Sequence, residues 1–135
     1  MERTLVICKP DAVARGLVGE IVGRLERKGL RLAAAELRTI DGETASAHYA
    51  EHRGKPFYDG LVAFITGGPS LVLAVEGPEG TIAMVRSLMG ATDPAGAGAG
   101  TIRGDLATQV TQNLVHGSDS TESAERELEI FFPRL

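Results

Sequence analysis

The sequence contains no tryptophan, only two tyrosines and four phenylalanines, and a single cysteine. A lone cysteine cannot form an internal disulfide, and Cys8 lies in an apolar run, which indicates a small core residue rather than a nucleophile. The longest apolar run, Leu71–Val75, is far shorter than the ~20 residues of a membrane span. The N-terminus, MERTLVICKPD, has no long apolar region of the secretory kind, so we expect a cytoplasmic protein without a membrane partner.

The chain also lacks an excess of positive charge. Its 14 lysines and arginines are outnumbered by 18 aspartates and glutamates, which gives a net charge of −4. A basic surface of the kind that binds nucleic acid is therefore not expected, and any polyanion must meet a local cluster of cations. Two common nucleotide-binding signatures are missing as well, because neither GxxxxGK[ST] nor a helix-opening GxGxxG occurs.

Short apolar runs and amphipathic stretches alternate along the 135 residues, without a visible linker or internal repeat. This favours a single domain over residues 1–135. The run Leu5–Ile7, stopped by Pro10, predicts a strand, and residues 16–29 predict a helix that ends at Gly29. Further predicted elements are a strand over 30–40 (with helix as the alternative), helices over 44–51 and 57–65, a strand over 71–77, a helix over 79–90 and a strand over 113–115.

Two segments remain. Residues 91–105, ATDPAGAGAGTIRGD, are too rich in glycine, alanine and proline for regular structure and predict a long loop. Asp119 and Glu122 have the N-cap and N3 spacing of a capping box, so the last helix is expected to begin there. The order of elements predicts an α/β (α+β) sandwich, with a ferredoxin-like βαββαβ antiparallel four-stranded sheet and helices packed on it.

The stretch NLVHGSDS, residues 113–120, places His116 between a short strand and a helix start. Free backbone N–H groups near a helix start favour anions, so His116 could act on a phosphate. Packing against backbone at a strand end is the alternative, and it is the more common role of an isolated histidine. His48 and His52 are four residues apart on a predicted helix and could bind zinc, but no third ligand stands out. We expect both at the surface.

Four segments of the chain together resemble the nucleoside diphosphate kinase family. They are TLVICKPDAVARGLVGEI, HYAEHRGKPFYDGLV, GATDPAGAGAGTIRGD and NLVHGSDSTESAERELEIFF, in the family's order and spacing over essentially the whole length. NLVHGSDS is highly specific to that family, and KPD and TIRGD give independent support.

The resemblance implies a phosphotransferase with a covalent intermediate. In this family the histidine of HGSDS takes the γ-phosphate of a nucleoside triphosphate, typically ATP, and passes it to a nucleoside diphosphate with ping-pong kinetics. The matching residue is His116. Glu127 would accept a hydrogen bond from the other ring nitrogen, Ser118 would contact Glu127 or the phosphate, and Tyr49 would lie beside the ring.

The resemblance also assigns the phosphate and ribose contacts. Arg86 and Arg103 would hold the phosphates, where guanidinium geometry fits phosphate oxygens, and Thr92 would donate to one of them. Lys9 and Asn113 would bind the ribose hydroxyls, with Lys9 also near the transferred group. Mg²⁺ would bridge the phosphates and keep much of its water, so no protein metal ligands are expected.

Phe57 would stack on one face of the base and Val110 would close the other, so broad base specificity is expected. The family habit also implies a homo-oligomer, with a hexamer as first choice and a tetramer second. Asp93 and Ala99 depart from the family pattern in the glycine loop, which bears on loop stability and on assembly.

Two other functions share part of this pattern. A histidine phosphocarrier would also use His116, but it would not need Phe57, Val110 or the ribose contacts. A regulatory binding module on a ferredoxin-like sheet would form no stable phosphohistidine. A nucleotide exchange assay separates these alternatives from the kinase.

Overall fold

The computed structural model describes residues 1–135, which form one four-stranded antiparallel sheet with helices packed on it. The strands are β1 (Glu2–Cys8), β2 (Arg31–Arg38), β3 (Ser70–Gly77) and β4 (Val115–Gly117), in the order β2-β3-β1-β4. The predicted fold class is thereby confirmed, and the region where helix competed with strand is β2. No helix is long and apolar enough to cross a membrane.

Seven α-helices connect and cover the strands. They are α1 (Pro10–Ala14), α2 (Val18–Arg27), α3 (Gly42–His48), α4 (Tyr58–Thr66), α5 (Thr81–Met89), α6 (Ile102–Leu106) and α7 (Thr121–Phe131). Two short 3₁₀ helices, Ala50–His52 and Pro94–Gly96, lie between them. The helices α3 and α4, joined by the first 3₁₀ helix, form the long connection from β2 to β3.

The sheet is buried on both faces because successive strand residues point to opposite sides. Val6 and Cys8 of β1 pack with Ile21 of α2 and Val85 of α5 in one core. On the other face, the core consists of Leu5, Ile7, Ile40, Ala45, Ile65, Val72 and Phe131. The long β2–β3 connection and α7 therefore add a second helical layer, and this layer faces β4.

The structure corrects two predicted boundaries near the HGSDS motif. The last strand is Val115–Gly117 rather than 113–115, because Leu114 has a φ of 76° and cannot continue an extended strand. The last helix begins after Ser120, not at Asp119, because the extended Ser120 accepts the Ser123 N–H at 3.1 Å. The predicted capping box is therefore wrong by one residue.

Three short helical segments were also missed. Residues 10–14 form α1, with Pro10 at the first helical position, where its missing N–H costs nothing. Within the glycine-rich segment, Asp93 caps the second 3₁₀ helix and Thr101 caps α6 through the Gly104 N–H at 2.9 Å. The prediction of a segment without regular structure is therefore wrong, because side-chain caps stabilise turns that composition alone disfavours.

Candidate active site

His116 lies in the middle of β4, where it pairs with Ile7 of β1. Side chains of directly paired residues point to the same face of an antiparallel sheet. The imidazole therefore points, with Ile7, into the layer of α3, α4 and α7. There it meets Glu127 of α7 and His48 at the end of α3.

A short chain of hydrogen bonds fixes the imidazole. His116 Nε2 lies 2.9 Å from Glu127 Oε1, and the Ser118 hydroxyl donates to the same oxygen at 2.7 Å. Ser118 in turn accepts the Leu5 N–H at 3.1 Å, which ties this group to β1. Burial alone would raise the pKa of Glu127, but the bonds from His116 and Ser118 outweigh it and hold that pKa below its ordinary value. The ionised carboxylate therefore keeps the proton on Nε2, which leaves the lone pair on Nδ1.

His48 is not at the surface, contrary to the prediction, because it is only 4% exposed. Its ring lies edge-on to His116, with centroids 4.7 Å apart, and also contacts Phe131. Burial, reinforced by the neighbouring His116, lowers the pKa of His48 to about 3, so the ring stays neutral. The contacts of α3 with α7 place it there, and the amphipathic pattern of so short a helix gave no signal of them.

His48, His116 and Glu127 bring three potential metal-ligand atoms within 4.8 Å of one another. Two imidazoles and one carboxylate suit a borderline transition metal rather than Mg²⁺, which prefers oxygen ligands. Glu127 is moreover already engaged by His116 and Ser118. This cluster therefore does not suit Mg²⁺.

A cavity of about 390 Å³ opens beside the imidazole, large enough for a small ligand. It brings together nine of the residues expected to form the site: Lys9, Tyr49, Phe57, Arg86, Thr92, Arg103, Val110, Asn113 and His116. Ser118 and Glu127 are buried and are joined to the cavity through His116. The residues named from the sequence thus surround one space, although they come from five separate segments.

Burial shifts the pKa values of two titratable side chains that line the cavity. Burial, together with the nearby Arg103, lowers the pKa of Lys9 to about 8, while Asp11 acts in the opposite direction. Burial raises the pKa of Tyr49 to about 12, with a smaller contribution from Glu127. Lys9 is therefore mostly an ammonium at neutral pH and Tyr49 a neutral phenol.

Arg103 has a structural role that the sequence did not reveal. Its guanidinium is 4% exposed and donates to the carbonyl oxygens of Gly90, Asn113 and Val115, at 3.0, 3.3 and 2.6 Å. Burial, and then the nearby Arg86, lower the pKa of Arg103 to about 10. Arg103 thus ties α5, α6 and the start of β4 together while it lines the cavity.

Asn113 lines the same cavity and carries a buried acceptor without a partner. Its Nδ2 donates to the Thr92 carbonyl at 3.0 Å, and its buried Oδ1 has no hydrogen-bond partner. A buried polar atom without a partner is rare in proteins, and the cavity is where a ligand hydroxyl could supply one. Arg86, which also lines the cavity, donates to the Gly117 carbonyl at 3.2 Å.

Comparison with known proteins agrees with this geometry over the full chain. A sequence profile of the family "Nucleoside diphosphate kinase" matches residues 2–135. A nucleoside diphosphate kinase of Rhodococcus opacus strain B4 is 62% identical over 99% of this chain and 96% of its own length. One from Thermobifida fusca strain YX is 60% identical over 100% and 99% of the two chains.

Solved structures give the same result. A halophilic nucleoside diphosphate kinase from Halobacterium salinarum, solved in complex with CDP, superposes with a TM-score of 0.94 at 52% identity, over 97% of this chain and 87% of that one. Sequence, backbone and the residues gathered around His116 therefore lead to one conclusion: the chain is an enzyme that belongs to the nucleoside diphosphate kinase family.

Proposed function

We propose that His116 is the nucleophile of a two-step phosphoryl transfer from a nucleoside triphosphate, typically ATP, to a nucleoside diphosphate. The observation that carries the proposal is the unequal bonding of its two ring nitrogens. Nε2 is bonded to Glu127 at 2.9 Å, whereas Nδ1 makes no hydrogen bond and the ring lines the cavity. A neutral imidazole with a free lone pair, held in one tautomer, is a competent nucleophile.

The two steps form and then break one P–N bond on the imidazole. In the first, Nδ1 attacks the γ-phosphorus, a P–N bond forms, and the bond to the β,γ-bridging oxygen breaks as ADP leaves with the electron pair. The ring becomes cationic, and the Glu127 carboxylate at Nε2–H stabilises that charge. In the second, a terminal β-phosphate oxygen of another diphosphate attacks the phosphorus, the P–N bond breaks and the ring is neutral again.

The cations of the cavity would neutralise the phosphates. Phosphoryl transfer needs little covalent help beyond the nucleophile, so positioning and charge carry the catalysis. Lys9, Arg86 and Arg103 all line the cavity beside His116, and Thr92 is exposed there as a donor. Arg103 would contribute through the charge and remaining N–H groups of its clamped guanidinium.

The base and ribose would occupy the outer part of the cavity. Phe57 and Val110 are 51% and 52% exposed, unusual for apolar side chains, and both line the cavity. Stacking and apolar contact tolerate every base, which supports broad base specificity. The free Oδ1 of Asn113 would accept a ribose hydroxyl. The CDP complex of the Halobacterium salinarum relative supports a nucleoside diphosphate as ligand.

Mg²⁺ would enter with the nucleotide. When bound, it would neutralise and orient the phosphates, held mainly by phosphate oxygens and water, because the two imidazoles and one carboxylate around His116 do not suit Mg²⁺. The residues that would face the bound phosphates are Lys9, Arg86 and Arg103, which repel a free cation and attract its phosphate complex.

We further propose a cytoplasmic homo-oligomer of single-domain chains, with a hexamer as first choice and a tetramer second, and without a nucleic-acid partner. Both cores share one sheet, which supports a single domain over residues 1–135. The edge strand β2 leaves Leu37 63% exposed, and such an edge favours pairing with another copy. A monomer mass from light scattering would refute the proposed oligomer and would not affect the catalytic proposal.

The test of the catalytic proposal is phosphate transfer in two stages. With γ-labelled ATP and Mg²⁺, label should remain on the protein, survive alkali and be lost in acid, as expected of a phosphoramidate. Addition of GDP should move the label to GTP. His116→Ala should abolish both stages while nucleotide binding remains, because the side chain supplies the nucleophile rather than most of the binding energy. Label on the His116→Ala protein would identify another nucleophile, with Ser118 and Ser120 as the next candidates.

A further inference from the structure

The segment just before the proposed nucleophile is a strained turn. Leu114 has a φ of 76°, in the left-handed region that disfavours a leucine, and the Val115 N–H bonds back to the Asn113 carbonyl at 2.9 Å. Residues 113–115 therefore form a γ-turn of the rare form with positive φ. The turn joins Asn113 to His116, both of which line the cavity, so its shape sets their relative positions.

Neighbouring groups hold this turn against its strain. The Lys9 N–H donates to the Leu114 carbonyl at 2.8 Å, and Arg103 binds the carbonyls on either side of Leu114. The Leu114 N–H itself donates to Asp11 Oδ2 at 3.1 Å. A strained conformation persists only where its surroundings determine it, and Asp11 supplies the one side-chain acceptor for that N–H.

The carboxylate that does this is itself buried. Asp11 is 8% exposed on α1, and its second oxygen, Oδ1, has no hydrogen-bond partner. Its charge opposes the effects of burial and of Arg103 on the pKa of Lys9, which lies at about 8. The other titratable groups that line the cavity around Lys9 are Tyr49, His52, Arg86 and His116. Asp11 is the group that favours the ammonium form of Lys9.

We propose that Asp11 is a positioning residue for the phosphoryl transfer: it holds the Asn113–Val115 turn through the Leu114 N–H, and it supplies a negative charge near Lys9, whose own N–H binds the carbonyl of the same Leu114. It does not line that cavity, so it acts through Asn113, His116 and Lys9 rather than on the substrate. The inference rests on the proposed role of His116.

Two substitutions separate the two roles. Asp11→Asn keeps an acceptor oxygen of the same shape and removes the charge, whereas Asp11→Ala removes both. For Asp11→Asn we expect a nucleotide KM near that of the parent, with the alkaline limb of kcat/KM moved to lower pH by about one unit, the usual effect of losing one close opposite charge. Asp11→Ala should show the same displacement and, because Asn113 moves, an increase of roughly tenfold in the nucleotide KM.

Lys9→Arg tests whether titration of Lys9 causes the alkaline limb of the kcat/KM profile, because arginine keeps a cation that does not titrate in this range. In that background, Asp11→Asn should leave the limb where it is. Asp41→Asn is the matched control, because Asp41 also accepts a backbone N–H, from Thr44 at 2.7 Å, but is exposed and does not line the cavity. Its pH profile should follow that of the parent.

Hydrogen exchange gives a measurement that does not depend on activity. The Leu114 amide should exchange faster in Asp11→Ala than in the parent and remain protected in Asp11→Asn. If the parent protein forms no phosphohistidine, the proposed function is refuted. Hydrogen exchange at Leu114 then still tests whether Asp11 holds the turn. An active parent with unchanged pH profile and KM in both variants, and unchanged exchange at Leu114, would overturn the positioning role.

Discussion

At the scale of single residues, the chemistry of His116 depends on which of its nitrogens is bonded. The Glu127 carboxylate, 4% exposed, accepts from both His116 and Ser118 on Oε1, and these two bonds favour its ionised form. Pattern alone left His116 open between a phosphate site and a histidine packed at a strand end, and the roles expected of His116 and Ser118 came from the resemblance of HGSDS to the family motif. Glu127, in the acidic stretch ESAERELE, would have passed for a surface residue by pattern alone, and only the family resemblance indicated it.

Replacement of Glu127 should slow the first half-reaction without abolishing it. In Glu127→Gln an oxygen can still accept Nε2–H, but the charge that stabilises the imidazolium is lost. We expect the single-turnover rate of labelling by γ-labelled ATP to fall about 10- to 100-fold, the equivalent of the ~1.5–3 kcal/mol of a hydrogen bond to a charged group. Ser118→Ala, which removes a second donor to the same oxygen, should cost less. A Glu127→Gln protein labelled at the parent rate would refute the orienting role.

At the scale of elements, the glycine-rich segment shows where composition misleads. Its glycines suggested flexibility, yet Thr101 accepts the Gly104 N–H at 2.9 Å and donates to the Gly98 carbonyl at 2.7 Å, which fixes a compact turn into α6. Strands and longer helices were predictable because their apolar spacing is regular. The short helix α6 depends on the Thr101 cap, α1 has only Pro10 at its first position, and five residues are too few to show a period.

Replacement by alanine should destabilise the protein at one glycine of this segment and leave its stability unchanged at another. A Cβ on Gly104 would collide with the Gly98 carbonyl oxygen, whereas a Cβ on Gly98 meets nothing within 4 Å. Gly104→Ala should therefore displace Arg103 and its carbonyl contacts, lower the free energy of unfolding by about 1–3 kcal/mol and reduce kcat/KM. Gly98→Ala is the matched control and should remain within about 0.5 kcal/mol of the parent. Denaturant midpoints for the two variants that agreed with each other would contradict this packing.

At the scale of the whole molecule, the sheet order follows from the alternation of strands and helices, but the second helical layer does not. The sequence predicted helices after β2 without indicating which face of the sheet they would cover. In the structure, α3, α4 and α7 bury Ile7 and Phe131 and close a wall behind His116. The burial of His48 is a consequence of this long-range packing, which no local pattern encodes.

That burial makes the stability of the fold depend on pH. The pKa of His48 lies at about 3 in the folded protein, against the ordinary value of 6.5 expected in the unfolded chain. Between these values the unfolded chain binds one more proton than the folded chain, so the free energy of unfolding must fall as the pH is lowered through this range. The stabilisation from the neutral His48 is complete above the pKa of the unfolded chain. Below that pKa it decreases by roughly 1 kcal/mol for each pH unit.

The dependence is measurable from urea unfolding between about pH 7 and pH 5, which lies above the range where carboxylates titrate. Parent stability should fall across this interval, and both His48→Phe and His48→Gln should flatten the slope because neither side chain titrates. The two variants will differ in stability at neutral pH, since Phe keeps an aromatic contact with Phe131 and Gln does not. The slope therefore separates protonation from packing, provided that protein concentration is held constant for an oligomer. Equal slopes in the parent and in both variants would show that His48 accepts a proton as readily in the fold as outside it, and that the wall behind His116 is open to water.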